Sequence, residues 1–403
     1  MNLTQQYEKA FFDRDGSRFD LPVKPTDDVI RVELAANNAS CPLNKIIVSK
    51  ENEGNMRILK RFAFTAYKRY NRSCRGNNFG IYCPSGQGKT FIVRNFAKTI
   101  GIPFVFVQSS ALESTQMLFD QICNAFDKHC FADGSKTPIV PVKDNHADYR
   151  IPPCIVFFDE AHCLSNKLMK GGLLNAMEPD DGYMVIKQSS SKDVVEVVDC
   201  RHICWIGATT ERGDLFDAFE NRLTTAIEWK PATEEELPII IHAGLESKYK
   251  SKEIEVMPSM DVCALISKYQ QVPRLAIHGF GVKVCQQKTM FPNNTWEEAC
   301  QIVAKDIGIN DYGMTEKQVE ILKALGQRPI AEPRLADVAK CRIAQVKRFE
   351  LPGLMQYTNG GPLAVSVSGK GMCITRAGIQ RLNEMGIPNK GEKITAEHFE
   401  NRR

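Results

Sequence analysis

The residues at 83–90 have the types and spacing that bind the phosphates of a nucleoside triphosphate. Gly86 and Gly88 allow the bare backbone to turn its N–H groups toward the phosphates. Lys89 is expected to reach the β- and γ-phosphates, and Thr90 offers a hydroxyl oxygen of the kind that Mg²⁺ prefers. The segment is therefore predicted to be a phosphate-binding loop (P-loop) for ATP and Mg²⁺. The alternative is a chance turn between a strand and a helix.

The first position of this pattern is usually a glycine, and here it is Cys83. The substitution affects the first turn of the loop and leaves the predicted phosphate contacts in place, because those come from the later residues. The residues predicted to contact ATP are Pro84, Ser85, Gly86, Gln87, Gly88, Lys89 and Thr90.

Two carboxylates, Asp159 and Glu160, follow the apolar run at 154–158. In this position after a P-loop, Asp159 is predicted to hold Mg²⁺ through water. Glu160 is predicted to orient or deprotonate the water that attacks the γ-phosphate. Acidic residues also cap helices, which is the alternative for an isolated Asp-Glu pair. His162 is interpreted as a neighbouring helix residue without a catalytic role.

Two hydroxyls, those of Thr209 and Thr210, follow the next apolar run along the chain, at 202–207. A hydroxyl at the tip of a strand beside the P-loop can donate a hydrogen bond to the attacking water. Thr210 is therefore predicted to sense the γ-phosphate. The alternative is a threonine that caps the turn after the strand.

Five short apolar runs separated by helical patterns must position these groups. Such runs, predicted to be buried on both faces, are typical of a parallel sheet in an α/β domain. The carboxyl ends of parallel strands lie at one edge, where open α/β sheets bind nucleotides. A helix at 55–70 precedes the first run and is predicted to pack against this domain. The runs are 79–83, 103–107, 154–158, 202–207 and 225–229.

Two segments between these runs have other patterns. Residues 127–152 carry polar residues, glycine and three prolines, and are predicted to form a long loop. Residues 182–200 hold two β-rich stretches joined by a serine-rich turn, which predicts a hairpin that projects from the sheet. An exposed apolar hairpin would be a surface for a partner.

The composition sets outer bounds on function. A chain of 403 residues is long enough for two or three domains. Its net charge of +4 permits a nucleic-acid partner but does not argue for one unless the charge is clustered. Neither a secretory signal nor a membrane-spanning run is present in the sequence, so a cytoplasmic protein without membrane contact is expected.

The 14 cysteines include no Cys-x-x-Cys pair. Cys200, His202 and Cys204 would lie on one face of a strand, where a metal site is conceivable. Buried thiols in a reducing compartment are the other interpretation of these cysteines.

The pattern changes after Pro231 to helices without strands, and it changes again near Met314. From there, three helical stretches at 316–325, 333–340 and 343–349 precede two β-like segments that bracket residues 368–370. Three helices followed by a hairpin are predicted to form a winged helix, in which the third helix or the wing meets DNA.

Basic side chains of this region could reach DNA phosphates, or they could belong to solvated helix faces. The group comprises Lys340, Arg342, Lys347, Arg348, Lys370, Arg376 and Arg381. Lys370 lies at the predicted tip of the wing and is the strongest candidate. The predicted DNA contacts are Lys370, Arg376, Lys347 and Arg348.

The order of these motifs, with a downstream Glu-Asn-Arg-Leu at 220–223, resembles that of the AAA+ ATPases, and most closely the RuvB branch-migration motors. The resemblance covers residues 43–385. It implies that Arg222 reaches into the ATP site of the adjoining subunit and that Arg274, in a helical lid, is a second sensor of the γ-phosphate. Without the resemblance, Arg222 would be interpreted as an exposed basic residue, and Arg274 as a residue that caps or solvates a lid helix.

The resemblance also implies a ring oligomer, expected to be a hexamer, that acts on duplex DNA or a four-way junction. A RuvA-like protein at the 182–200 hairpin is an expected partner. Three features depart from the close relatives: Cys83, the acidic Glu220 with Asn221, and the longer 127–152 segment. With these departures, two other functions stay open. One is a loader or assembly platform for a helicase or transposase, and the other is an ATPase that remodels proteins.

The domain organisation predicted from these patterns has an α/β P-loop AAA+ core with a parallel sheet and helices on both faces. The predicted domains are an irregular arm at 1–45, the nucleotide-binding domain at 46–230 with its hairpin at 182–200, a helical lid at 231–308, a winged helix at 309–390 and a charged tail at 391–403.

Overall fold

The structure is a computed structural model that describes residues 41–68, 78–128, 139–144, 147–178, 181–187, 195–210, 212–355, 357–358 and 361–400. The chain divides into two compact units, Met1–Lys230 and Pro231–Arg403. Most of the predicted N-terminal arm lies outside the described residues. Among the helices of the described ranges, none combines the length and apolar character needed to cross a bilayer.

The first unit contains a five-stranded sheet and a four-stranded sheet. In chain order its strands are β1 (Phe79–Tyr82), β2 (Phe104–Gln108), β3 (Val140–Asp144), β4 (Ala147–Arg150), β5 (Cys154–Asp159), β6 (Tyr183–Lys187), β7 (Val195–Asp199), β8 (Ile203–Thr209) and β9 (Thr225–Glu228). The larger sheet has the order β2-β5-β8-β1-β9, and all its pairs are parallel. The five apolar runs are the strands of this sheet, so the predicted parallel α/β core is confirmed.

Burial differs between the central and the edge strands of this sheet. Every residue of β1 and β8 is buried, because helices cover both faces at the centre. The prediction that all five runs are buried on both faces is wrong for the edge strands. In β2 the side chain of Phe106 is 40% exposed, and in β9 only Ile227 is buried.

Helices pack on both faces of the large sheet. They are α1 (Glu53–Lys68), α2 (Lys89–Ile100), α3 (Thr115–Lys128), a helical segment at 166–176 and the short α4 (Asp217–Glu220). On one face Phe62 of α1 stacks on Phe79 of β1 at 5.6 Å between ring centroids, so the predicted packing of this helix on the sheet is observed. On the other face Trp205 of β8 stacks on Phe158 of β5 at 5.9 Å.

The smaller sheet changes the interpretation of two segments. Strands β6 and β7 form the predicted antiparallel hairpin, but the hairpin does not project alone, since β7 also pairs in parallel with β4. The prediction of a loop at 127–152 is wrong in part, because β3 and β4 lie within it. The hairpin has a buried face with Met184 and Val198, and an outer face where Val185 is 46% exposed.

A buried ion cluster joins the two inner strands of the smaller sheet. The carboxylate of Asp199 is fully buried and accepts hydrogen bonds from the Nε of Arg150 at 2.9 Å and the Nη2 of Arg201 at 2.7 Å. Burial alone would raise the pKa of Asp199, but the hydrogen bonds from Arg201 hold it below its ordinary value. The cluster therefore fixes the position of β4 against β7.

Replacement of Asp199 by alanine is expected to lower the free energy of unfolding by about 3–5 kcal/mol, because it leaves buried guanidinium groups without their counter-charge. Urea-induced unfolding at neutral pH measures the loss, and Asp214→Ala, at an exposed aspartate, is the matched control. In the unchanged chain, the stabilisation is present above the ordinary aspartate pKa of 3.8 and disappears as the pH falls through the lower pKa of the folded state. Equal stability of the two variants would contradict this role.

The cysteines near β8 are part of the core. Strand β8 begins at Ile203, so the alternation expected across 200–204 does not hold, and Cys200 and Cys204 lie in different hydrophobic clusters. Within the described ranges, no group of three or more His, Cys, Asp or Glu side chains could hold a metal ion. Burial raises the pKa of the Cys200 thiol well above its ordinary value. The interpretation as buried thiols is therefore favoured.

The second unit begins with helices around one core. They are α5 (Leu237–Lys250), α6 (Met260–Tyr269), the helical stretch Leu275–Gly281, α7 (Val282–Met290) and α8 (Trp296–Asp306). The core includes Ile241, Ile266, Phe280 and Val303, one from each of four of these elements. Helix α8 begins with a capping box between Thr295 and Glu298. The predicted change from an α/β pattern to helices alone is confirmed for residues 231–308.

The end of the chain has the predicted order of three helical elements and a hairpin. Helices α9 (Glu316–Leu325) and α10 (Glu332–Val338) are followed by a helical segment at 343–355. Two short strands, β10 (Tyr357–Thr358) and β11 (Gly361–Pro362), precede the hairpin of β12 (Ala364–Val367) and β13 (Gly371–Ile374). Helix α11 (Arg376–Glu384) follows. The assignment of these elements as a winged helix stays a prediction.

The predicted charged tail is instead partly folded. Residues Gly391–Ile394 form a 3₁₀ turn and Ala396–Glu400 form a helix, α12. Thr395 pairs with Ile374 of β13, and Ala396 is buried in a small cluster with Val367 and Cys373. These residues therefore support the β12–β13 hairpin.

Candidate nucleotide site

Three adjacent parallel strands bring the predicted site residues to one edge of the large sheet. Strand β8 lies between β5 and β1. In the register, Phe158 of β5 lies opposite Gly207 of β8, and Thr209 of β8 lies opposite Tyr82 of β1. The acidic pair at the end of β5, the threonines at the end of β8 and just after it, and the P-loop after β1 therefore emerge side by side.

The P-loop has the backbone conformation that its glycines allow. Gly86 and Gly88 have φ angles of 77° and 91°, in the left-handed region that side chains disfavour. At Gly88 a Cβ would meet no heavy atom within 4 Å, so the backbone angle and not crowding requires glycine. Helix α2 begins at the next residue, Lys89, and its amino-terminal N–H groups face the loop. Pro84, Ser85 and Gln87 complete the turn.

Lys89 and Cys83 meet across the P-loop. The side chain of Lys89 is buried, and its Nζ donates a hydrogen bond to the carbonyl oxygen of Cys83 at 3.1 Å. Burial raises the pKa of the Cys83 thiol to about 11; Lys89 lowers it, whereas Glu160 and Asp159 raise it further. The four side chains are thus close enough to interact electrostatically. The thiol stays neutral at the position where the usual pattern has glycine.

Glu160 has an unusual backbone conformation for its residue type. Its φ of 51° and ψ of 56° lie in the left-handed region, and such angles outside glycine concentrate at functional sites. The turn Ala161–Cys163 follows immediately. The carboxylate is 41% exposed, and its Oε2 accepts a hydrogen bond from the Oγ1 of Thr210 at 3.4 Å. Glu160 and Thr210, which were predicted separately, are therefore in contact.

His162 is the site residue that sequence reasoning missed. Its Nδ1 lies 2.7 Å from the Oγ1 of Thr209 and 3.5 Å from the Oε2 of Glu160. The interpretation of His162 as a neighbouring helix residue placed it correctly in a short helical turn but overlooked these contacts. Its position two residues after Glu160 was the only signal available in the sequence.

Two oxygen ligands suit Mg²⁺ at this edge. Thr90 is the second residue of α2, and Asp159 is the last residue of β5. Both side chains are partly exposed, and hydroxyl and carboxylate oxygens are the hard ligands that Mg²⁺ prefers beside phosphate oxygens. The donor set therefore fits the predicted ion.

Arg222 is anchored within its own subunit. Its Nε donates a hydrogen bond to the carbonyl oxygen of Leu174 at 2.8 Å, and its Nη1 donates to that of Ala218 at 2.9 Å. Its Nη2 pairs with the carboxylate of Glu178, and the side chain is only 23% exposed. The alternative of an ordinary exposed arginine is therefore wrong. The predicted action in a neighbouring subunit would require these contacts to change.

Arg274 belongs to the second unit. It is exposed and immediately precedes the helical stretch Leu275–Gly281. Its role as a second γ-phosphate sensor stays a prediction.

Three of the four predicted DNA-contacting side chains have partners in the second unit. The Nζ of Lys370 lies 5.2 Å from the ring centroid of Phe399, that of Lys347 pairs with Glu332 at 2.8 Å, and Arg376 lies 3.8 Å from Glu392. All three are nevertheless exposed. The side chain of Arg348 lies outside the described residues.

Comparisons with known proteins agree with this geometry. The family model described as "ATPase family associated with various cellular activities (AAA)" matches residues 79–231. Among curated proteins, no match is found.

Solved structures of RuvB from Thermotoga maritima have a similar fold at 17% identity. A proline-to-glycine variant matches with a TM-score of 0.59, over 85% of this chain and 97% of that one. A lysine-to-arginine variant gives 0.57 over 83% and 95%, and the structure titled as the Holliday junction branch migration motor gives 0.56 over 87% and 98%. Residues 79–231 therefore match the AAA family model, and the chain has the fold of the RuvB structures.

Proposed function

We propose that this chain assembles into a ring, expected to be a hexamer, that hydrolyses ATP to move duplex DNA, as in the branch migration of a four-way junction. The observation that carries the proposal is the convergence of the P-loop, the Asp159–Glu160 pair and the threonines of β8 at one sheet edge. The likeness to the RuvB structures extends over 83–87% of the chain and so includes most of the second unit.

The proposed chemistry is positioning plus charge stabilisation. The P-loop backbone and Lys89 bind the phosphates, and Thr90 and Asp159 would hold Mg²⁺, which supplies positive charge beside the phosphate oxygens. Glu160 accepts a proton from the attacking water or orients it. Thr210, whose hydroxyl hydrogen is donated to Glu160, accepts a hydrogen bond from that water through its oxygen. The ammonium group of Lys89 donates one hydrogen to the carbonyl oxygen of Cys83 and has two further N–H donors for the phosphates.

Two arginines would complete the site. Arg274 would contact the γ-phosphate from the lid of the same subunit. Arg222 would stabilise transition-state charge in the adjoining subunit, so that each site depends on two copies of the chain. A planar guanidinium suits this role because it can donate two parallel hydrogen bonds to phosphate oxygens.

The β6–β7 hairpin is the proposed surface for a RuvA-like partner. Val185 and Val195 are each about half exposed on its outer face, whereas Met184 and Val198 face the core. One face of the hairpin packs in the core of the first unit and the other is exposed. The exposed residues can therefore contact another protein while the packing of the buried residues is kept.

Strand exchange on a labelled four-way junction tests the proposed function directly. Wild-type protein with ATP and Mg²⁺ is expected to drive strand exchange until the junction separates into two duplexes, alone or with a RuvA-like partner. A non-hydrolysable ATP analogue is expected to prevent this separation. ATP hydrolysis without any strand movement would contradict a motor.

Lys370→Ala is expected to weaken binding to duplex DNA several-fold at low salt and to reduce the slope of log K against log salt by about 1, since one phosphate contact is lost. Fluorescence anisotropy over a salt series measures both quantities. The matched control is Lys268→Ala, because Lys268 is an exposed lysine of α6 outside the predicted DNA-binding region. An equal loss in both variants would show that Lys370 has no special role.

A loader or assembly platform is the second candidate. It is favoured by the ion pairs of Lys347 with Glu332 and of Arg376 with Glu392, which reduce the positive charge available to DNA. Such a protein would bind ATP, deliver a helicase or transposase to DNA and hydrolyse ATP only for release. Strand exchange that needs a helicase partner would support this candidate. An absence of duplex binding at low salt would favour an ATPase that remodels proteins.

A further inference from the structure

A chain of contacts links the buried end of β8 to the carboxylate of Glu160. The Nδ1 of His162 lies between the Oγ1 of Thr209, at 2.7 Å, and the Oε2 of Glu160, at 3.5 Å. The same Oε2 accepts the hydrogen bond from Thr210. One oxygen of the carboxylate is therefore approached from two sides by side chains of the described structure.

The contact of His162 with Glu160 is attractive when the imidazole carries a hydrogen on Nδ1. An ionised carboxylate only accepts hydrogen bonds, so a bare Nδ1 lone pair facing Oε2 would be repelled. A hydrogen on Nδ1 can be donated to the Oγ1 of Thr209, at 2.7 Å, and at the same time attract the Oε2 of Glu160, at 3.5 Å.

The support behind His162 is buried. Thr209 is buried, and its backbone lies opposite Tyr82 of β1, the strand that leads into the P-loop. On either side of His162, Ala161 and Leu164 are buried in the core of the first unit. The imidazole therefore contacts a buried hydroxyl and lies between buried residues, while the side chain of the glutamate that it contacts is 41% exposed.

An exposed glutamate needs such support to act in one geometry. A free glutamate side chain loses about 1.5–2 kcal/mol of rotamer freedom when it is fixed. Donors from His162 and Thr210 that hold Oε2 offset this cost and leave Oε1 to face the water.

We propose that His162 is a positioning residue: anchored by Thr209, it holds the Glu160 carboxylate in the orientation needed for attack of water on the γ-phosphate. This inference rests on the role proposed above for Glu160.

The test compares three substitutions. His162→Phe keeps a ring but removes both nitrogens, and it is expected to lower kcat by about 10- to 100-fold, as misplacement of a catalytic group does. ATP affinity, measured with a fluorescent nucleotide, is expected to stay within about twofold of wild type, because the P-loop contacts are separate. His162→Asn places an amide near the position of Nδ1 and is expected to restore most of the turnover.

Thr209→Val removes the anchoring hydroxyl at nearly constant volume. It is expected to lower kcat as His162→Phe does, and the double variant is expected to lose little more, because both changes break one chain of contacts. The inference would be overturned if His162→Phe had the kcat of wild type. It would also be overturned if His162→Asn lost as much of kcat as His162→Phe does. Additive losses in the double variant would overturn it too.

The outcomes separate the inference from the proposed function. If wild type hydrolyses ATP and Glu160→Gln does not, while His162→Phe is normal, only the role of His162 is overturned. If wild type hydrolyses no ATP, the proposed function and this inference are both overturned.

Discussion

Glu160→Gln is expected to lower ATP turnover by about 10²–10⁴-fold while ATP still binds, because the amide cannot accept the proton of the attacking water. The substitution keeps the shape of the side chain, and its amide can still accept hydrogen bonds from His162 and Thr210 through oxygen. The P-loop and the Mg²⁺ ligands are unchanged, so the affinity for ATP should be close to that of wild type.

Steady-state phosphate release and nucleotide binding measured on the same preparation check this prediction. Glu113→Gln is the matched control, because Glu113 is exposed in the loop before α3. This substitution is expected to leave turnover unchanged. Hydrolysis by Glu160→Gln at the wild-type rate would show that another group activates the water.

Arg222→Ala is expected to lower turnover of the assembled ring by about 10³-fold or more, the size of effect that an arginine finger supplies in related phosphoryl transfers. The loss should appear in kcat, because the guanidinium acts on charge that develops in the transition state. Turnover by oligomers of defined size, purified by gel filtration in the presence of nucleotide, measures it.

The contacts of Arg222 inside its own subunit suggest a second explanation for a loss of turnover, namely a structural role. This role must be distinguished from action in the neighbouring site. If Arg222 acted only by tying Glu178 to the carbonyl oxygens of Leu174 and Ala218, then Glu178→Gln would reproduce the loss by weakening the same group. Action in the neighbouring site predicts that Glu178→Gln keeps most of the turnover. Equal losses in the two variants would therefore contradict a role in trans.

The parallel core could be predicted from sequence because its signals are local. Short apolar runs between helical patterns identified the five strands, and one rule on strand ends placed the P-loop, Asp159 and Thr210 at the same edge. The P-loop conformation also followed from local chemistry, since Gly86 and Gly88 do adopt left-handed angles. The order of helices and hairpin at the end of the chain was equally visible.

Features that depend on distant partners were not predictable in the same way. Strand β4 is short and carries polar residues, and it is a strand because Tyr149 and Arg150 pair with Val198 and Asp199 far along the chain. The folding of residues 391–400 depends on the β12–β13 hairpin. The contacts of His162 with Thr209 and of Arg222 with Leu174 likewise join residues more than 40 positions apart, a separation over which periodicity carries no information.

Adjacent copies of the chain are proposed to complete each other's ATP site. Mixing inactive Glu160→Gln with inactive Arg222→Ala subunits tests this most directly, because a mixed ring contains sites that take intact Glu160 from one variant and intact Arg222 from its neighbour. ATP turnover is expected to reappear on mixing. A mixture that assembles into rings yet stays as inactive as its two components would contradict it.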